Sequence, residues 1–130
     1  MGRPNMFVQF NFRRLDPDVT VMDFSGRLST PGITVAEVER TIRKKIEEGA
    51  RKLVLDLGRV DFIDSSGIGL LAVCSAAMKQ AGGRMAVTGA IGIVKKSLEA
   101  VSLDRVIGVY PNLAADCAAL SEPHREPQAR

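Results

Sequence analysis

The sequence predicts an α/β fold, with a mixed, mainly parallel β-sheet of four to five strands covered by about four helices. Three observations carry that expectation. Two strand-like runs joined by a turn open the chain. Stretches of helical period then alternate with short apolar runs. Most informative is Leu53 to Leu71, LVLDLGRVDFIDSSGIGLL, where an apolar strand passes through Asp64-Ser65-Ser66-Gly67 straight into an amphipathic helix.

Phe7 to Phe12 alternates as a first strand and Val19 to Phe24 as a second, with Leu15-Asp-Pro-Asp18 supplying the turn of a hairpin. Ser25 to Gly32 reads as a loop. From Thr34 the pattern becomes helical, placing Val35, Val38, Ile42, Lys45 and Ile46 on one face, and Gly49 ends it. Leu53 to Leu57 is a short apolar run of the kind found in buried parallel strands. The helix after Ser66 sets Leu70, Leu71, Cys74, Ala77, Met78 and Ala81 at helical spacing before Gly82-Gly83 stops it. Arg84 to Thr88 is the next strand. Ile91 to Val101 is a helix with Ile91, Val94, Leu98 and Val101 inward, Val106 to Val109 a last short strand, and Asn112 to Leu120 a closing helix. Residues 7–120 form one domain, and 1–6 and 121–130 are expected to be flexible termini. Right-handed crossovers would put the helices mainly on one face of the sheet.

Composition narrows the function. The chain has 130 residues, 45% hydrophobic and 25% charged, as one soluble globular domain would. A net charge of +3, 5% aromatic residues and no Trp offer neither a phosphate-tracking groove nor a stacking platform, so no nucleic-acid partner is expected. No apolar run approaches the roughly 20 residues of a membrane span. MGRPNM lacks the apolar core of a signal peptide, and Met6 stands where myristoylation would want Ser or Thr. Cys74 and Cys117 have neither CxxC nor metal spacing and read as reduced, buried thiols of a cytoplasmic protein.

Catalysis by the paired serines is disfavoured. A nucleophile elbow needs Gly two residues before the Ser, but Ile63 and Asp64 hold those places, and the sole histidine, His124, lies in the tail. Gly67-Ile68-Gly69-Leu70-Leu71-Ala72 spells a dinucleotide-type G-x-G-x-x-A. The acid such a site needs about 20 residues on is absent from Val87-Thr88-Gly89-Ala90, and Asp64 would repel a pyrophosphate. No catalytic residue, metal ligand or cofactor is assigned.

Two readings of Asp64, Ser65 and Ser66 remain. They can simply cap the helix, because a serine oxygen there accepts from an amide of the first turn. Alternatively, Gly67 and Gly69, which cost the helix roughly 1 kcal/mol each against Ala, leave a bare patch with two hydroxyls for close approach by another protein, at a helix N-terminus that tolerates a phosphate. Ser65 falls at or just outside the helix start, and Ser66 is expected to bond inward as the cap.

VLDLGRVDFIDSSGIGLL closely resembles the signature of the STAS domain, and in particular that of bacterial anti-sigma-factor antagonists. Gly26-Arg27-Leu28 resembles the family's Gly-x-Leu, Gly82-Gly83-Arg84-Met85 its helix-to-strand turn, and Val101 to Ile107 a further segment, so that the likeness spans about Val8 to Leu120. The resemblance implies a STAS fold and partner switching. The unphosphorylated antagonist binds an anti-sigma factor that is also a serine kinase and so releases a sigma factor. Phosphorylation by that kinase ends the interaction, and a serine phosphatase restores it. Carried over by position, the phosphoacceptor is Ser65, and Asp64, Ser66, Gly67, Ile68, Gly69, Gly26 and Ser29 lie in the partner surface. Ser29 stands where the family usually has Asp, and Ser102 where it commonly has Gly. The alternatives are a STAS regulatory or scaffold subunit of a transport or lipid-trafficking assembly, with the serines as caps only, and a nucleotide-binding sensor.

Overall fold

In the computed structural model the described residues are 9–16, 18–28, 34–105 and 107–110. Their order is β1 (Gln9–Asp16), β2 (Val19–Leu28), α1 (Thr34–Glu47), β3 (Lys52–Ile63), α2 (Ser65–Gln80), β4 (Arg84–Thr88), α3 (Gly92–Ala100), a 3₁₀ turn (Leu103–Arg105) and β5 (Gly108–Tyr110). This is the mixed, mainly parallel five-stranded sheet that the sequence predicts. The strands lie in chain order β1-β2-β3-β4-β5, and only β1 and β2 run antiparallel. Three helices fall among the described residues. The expected closing helix Asn112 to Leu120, the tail, Phe7, Val8, Cys117 and His124 lie outside them.

All three helices pack on one face. Val38 and Ile42 of α1, Leu70, Leu71, Cys74 and Met78 of α2, and Val94 and Leu98 of α3 share one buried cluster with Met22, Phe24, Leu28, Leu53, Leu55, Leu57 and Val87 of the strands. Burying a Leu or Ile side chain stabilises by roughly 1.5–3 kcal/mol, so this layer dominates the fold. The strand residues between these point the other way. Val19, Val21, Val54 and Ala86 form a second, smaller buried cluster with Tyr110 packed against it.

Three strands outrun their predicted limits by several residues, and β1 continues past Phe12 to Asp16, into the residues where the sequence places a turn. β2 continues through Gly26-Arg27-Leu28, where a loop was expected, and β3 runs to Ile63 rather than stopping at Leu57. The β3–β4 ladder ends at Asp56↔Thr88, whereas the β2–β3 ladder continues to Leu28↔Ile63. Beyond Asp56 the strand therefore lacks β4, and exposed Gly58, Arg59 and Asp61 interrupt its apolar pattern. That polarity conceals the extension from the sequence.

A second correction concerns α3. Val94 and Leu98 point inward as expected, but Ile91 and Val101 are 65% and 54% exposed. The helix spans only Gly92–Ala100, so both residues occupy cap positions, where the chain leaves the helical periodicity that would turn them to the core.

Candidate functional site

The paired β2–β3 extension delivers the chain to the start of α2. Leu28 and Ile63, cross-strand partners at its end, are both buried. Asp64 follows in extended conformation (φ −121°, ψ −170°), and Ser65 is the first residue of the helix.

Asp64, not a serine, is the N-cap. Its Oδ1 accepts from the amides of Ser66 at 3.0 Å and Gly67 at 3.2 Å, and the Ser66 hydroxyl donates to the same oxygen at 2.6 Å. The expectation that Ser66 would cap is corrected here: Ser66 is bonded inward, but as a donor to the capping carboxylate. A carboxylate wins this position because it accepts several bonds at once and carries the charge that the positive end of the helix dipole favours. Partial burial pushes the Asp64 pKa up, yet bonds from the Ser66 hydroxyl and the Gly67 and Ser66 amides outweigh it. The net value lies below the usual carboxylate range.

Ser65 is exposed, Ser66 and Ile68 are half-buried, Gly67 is buried and Gly69 is exposed. The two glycines therefore differ. A Cβ on Gly67 would collide with the Leu28 carbonyl oxygen and lie 2.8 Å from Ile63 Cγ1. Gly67 lets the helix sit on the end of β2, so its close approach is internal rather than a bare surface. Nothing lies within 4 Å of a Cβ placed on Gly69, which leaves the surface one turn below Ser65 uncovered. Outward from there α2 presents Val73, 42% exposed, and Ala76.

The remaining predicted residues divide. Gly26 is buried in β2 with φ +96°, at a register shift opposite Val60. It shapes the strand that carries Leu28. Ser29 lies outside the described residues. Arg27, next to Leu28, places its guanidinium 4.3 Å over the Phe62 ring, a cation–π contact that braces the two strands just before the helix. Sequence reading missed that pair, since the two residues are far apart in the chain and only the strand register brings them together.

Chemically, the site offers an exposed hydroxyl on a fixed helix start. The short bonds of Asp64 go to Ser66 and Gly67, so its capping oxygen is committed away from Ser65. Among the described residues no cluster of three His, Cys, Asp or Glu side chains could hold a metal ion, and no helix is long and apolar enough to cross a membrane.

Comparisons with known proteins agree with this architecture. A family model described as the STAS domain matches residues 13–115. An anti-sigma factor antagonist from Mycobacterium paratuberculosis has 23% identity, covering 94% of this chain and 100% of its own, with a TM-score of 0.78. A Thermotoga maritima protein classed provisionally as an anti-sigma factor antagonist has 19% identity, covering 87% of this chain and 95% of its own, with a TM-score of 0.79. The Bacillus cell fate determinant SpoIIAA, in its phosphorylated form, has 19% identity, covering 85% of this chain and 97% of its own, with a TM-score of 0.67. At these identities the likeness is one of fold.

Proposed function

The chain belongs to the STAS domain family, and from that membership we propose that it is an anti-sigma factor antagonist, switched by phosphorylation of Ser65. Unphosphorylated, it binds an anti-sigma factor with serine kinase activity and so releases a sigma factor. Phosphorylated, it lets that partner go, and a serine phosphatase resets it. It works in the cytoplasm by binding alone, without catalysis or a cofactor of its own.

One observation carries this reading. Asp64 performs the capping and Ser66 is bonded to it, while Ser65, first in the helix, stays exposed. The arrangement separates the structural hydroxyl from the accessible one. A phosphate adds roughly −1.5 to −2 charges at this helix start. The positive end of the helix dipole favours that charge, so the fold tolerates it. A partner seated over Ser65, Ile68 and Gly69 would not, because the phosphate needs space, hydration and distance from any nucleotide phosphates on the kinase. Gly67 and Gly26 serve this surface indirectly, by seating the helix, and Ser29 is assigned to the partner surface by the family resemblance alone.

Incubation with purified anti-sigma factor kinases of the source genome and ATP, followed by phosphopeptide mass spectrometry, tests the proposal. Phosphate on Ser65, with loss of partner binding, is the expected outcome. A stable complex with no phosphate on either serine would leave an unswitched STAS scaffold.

A further inference from the structure

On the face of the sheet turned away from the helices, β1, β2 and β3 form a polar groove. Two adjoining cavities of about 450 and 340 Å³ share Asn11, Asp23 and Arg59 in their walls, the first reaching Ser25 and the second Arg13 and Asp56. Strand register sets these residues side by side in two rows, Gln9–Ser25–Arg59 and Asn11–Asp23–Asp56. A groove of this volume suits a small molecule.

A β-bulge delivers the arginine to it. Between Asp23↔Asp56 and Ser25↔Arg59, a step of two residues on β2 is met by a step of three on β3. Plain alternation from Asp56 would turn Arg59 toward the helices together with Leu57. The extra residue turns it back, so that Leu57 and Val60 are buried while Gly58 and Arg59 are exposed. The same bend fixes Asp56, whose Oδ1 accepts from the Gly58 amide at 2.9 Å.

Charge in the groove is separated into two parts. Arg13 holds Asp23 with two bonds, Nε to Oδ2 at 2.7 Å and Nη2 to Oδ1 at 3.2 Å, and lies 4.0 Å from Asp56 Oδ2. One guanidinium against two carboxylates leaves this part with a negative charge in excess. Arg59, one row on, has no side-chain hydrogen bond or ion pair among the described residues, and neither do Gln9, Asn11 and Ser25. An unmet positive charge thus stands beside an unmet negative one, with neutral hydrogen-bonding groups around both.

From this arrangement we infer that the groove is a binding site for a small zwitterion of the α-amino-acid class. Its carboxylate would take paired bonds from the Arg59 guanidinium, and its ammonium would face Asp56 Oδ2. Gln9, Asn11 and Ser25 suit a polar side chain. A purely anionic ligand would meet Asp23 and Asp56, and a purely cationic one would meet Arg59, so the separated charges select a ligand that carries both. The groove lies on the opposite face of the sheet from α2, and the inference stands independently of the partner-switching reading.

The test is an NMR titration of the isotope-labelled full chain with serine, threonine, asparagine and glutamine. Each probe is compared with its amide, which lacks the carboxylate, and with its deaminated acid, which lacks the ammonium. Saturable shifts of the Arg59 Nε–H and of the Gln9 and Asn11 side-chain amides are expected for at least one of the amino acids. Arg59→Gln and Asp56→Asn, whose folding is checked by thermal melts, should each weaken that binding about tenfold or more. Asp56→Asn keeps the oxygen that accepts from Gly58, so its effect reads the lost charge. No saturable shift with any of the four amino acids would overturn the inference. Binding that is unchanged in both variants, or equal for the amide or the deaminated acid, would overturn it as well.

Discussion

The Ser66 hydroxyl donates a 2.6 Å hydrogen bond to the Asp64 carboxylate that caps α2. The stability of the helix start is thereby concentrated in Asp64, with Ser66 as its support. Asp64→Ala should lower unfolding free energy by about 0.5–2 kcal/mol, and Ser66→Ala by less, because the carboxylate keeps its two amide bonds. Urea melts of the two variants decide the order. A larger loss in Ser66→Ala would return the capping role to the serine.

The same carboxyl makes stability depend on pH in a predictable direction. Its folded pKa is depressed, because the hydrogen bonds it accepts outweigh its burial. Its contribution is therefore fully present above the unfolded value, roughly 3.9, and is lost as pH falls through the folded value. Asp64→Asn should lower stability at neutral pH and make the acid limb of the stability profile shallower. Parallel limbs for the two proteins would remove Asp64 from the linkage.

Ser65→Ala should fold with an unchanged melt, accept no phosphate and remain bound to the anti-sigma partner. Ser66→Ala should still be phosphorylated at Ser65. Phosphopeptide mass spectrometry on both variants checks this, and phosphate that persists in Ser65→Ala but vanishes in Ser66→Ala would reverse the assignment. Ser65→Asp should weaken partner binding only in part, since one carboxylate has less charge and bulk than a phosphate.

Gly67→Ala and Gly69→Ala should have opposite effects on the fold. At Gly67 the added methyl meets the Leu28 carbonyl and Ile63, and the overpacking should cost about 1–3 kcal/mol despite the better helix propensity. At Gly69 it meets nothing, and the gain in helix propensity should stabilise by up to about 1 kcal/mol. Gly69→Ala should nonetheless bind the partner less tightly. Thermal melts paired with affinities separate the two effects.

Ser102 has φ +59°, a left-handed conformation unusual for a residue other than glycine. It occupies the position where the resemblance to the family leads one to expect Gly. Ser102→Gly should remove a backbone cost of about 1–2 kcal/mol, offset in part by the greater freedom of the unfolded chain. A net gain in melting temperature is expected, and a loss would mean that the Ser side chain repays its conformation.

Strand and helix identities were legible in the sequence wherever burial was one-sided. The inward Val38, Ile42, Leu70, Leu71, Cys74 and Met78 all follow helical spacing. What escaped has physical causes. The far part of β3 has no β4 beside it, so Arg59 and Asp61 break the apolar pattern although Val60 and Ile63 remain buried. Ile91 and Val101 match the helical period but lie just past the ends of the helix. At the site, the motif Asp64-Ser65-Ser66-Gly67 announced a helix start. Sequence cannot tell which of three oxygen-bearing side chains turns inward, nor that Gly67 is spent on Leu28 rather than on solvent.

The seat of Gly67 against Leu28 also bears on timing. With no room for even a methyl group between the first turn of α2 and the end of β2, that turn cannot press closer to the strand. A message written on Ser65 would then be read on the spot, without a slow structural relaxation between writing and reading. The delay and memory of the circuit would be properties of its kinase and phosphatase, and this protein would act as a tag whose response is as fast as the chemistry done to it.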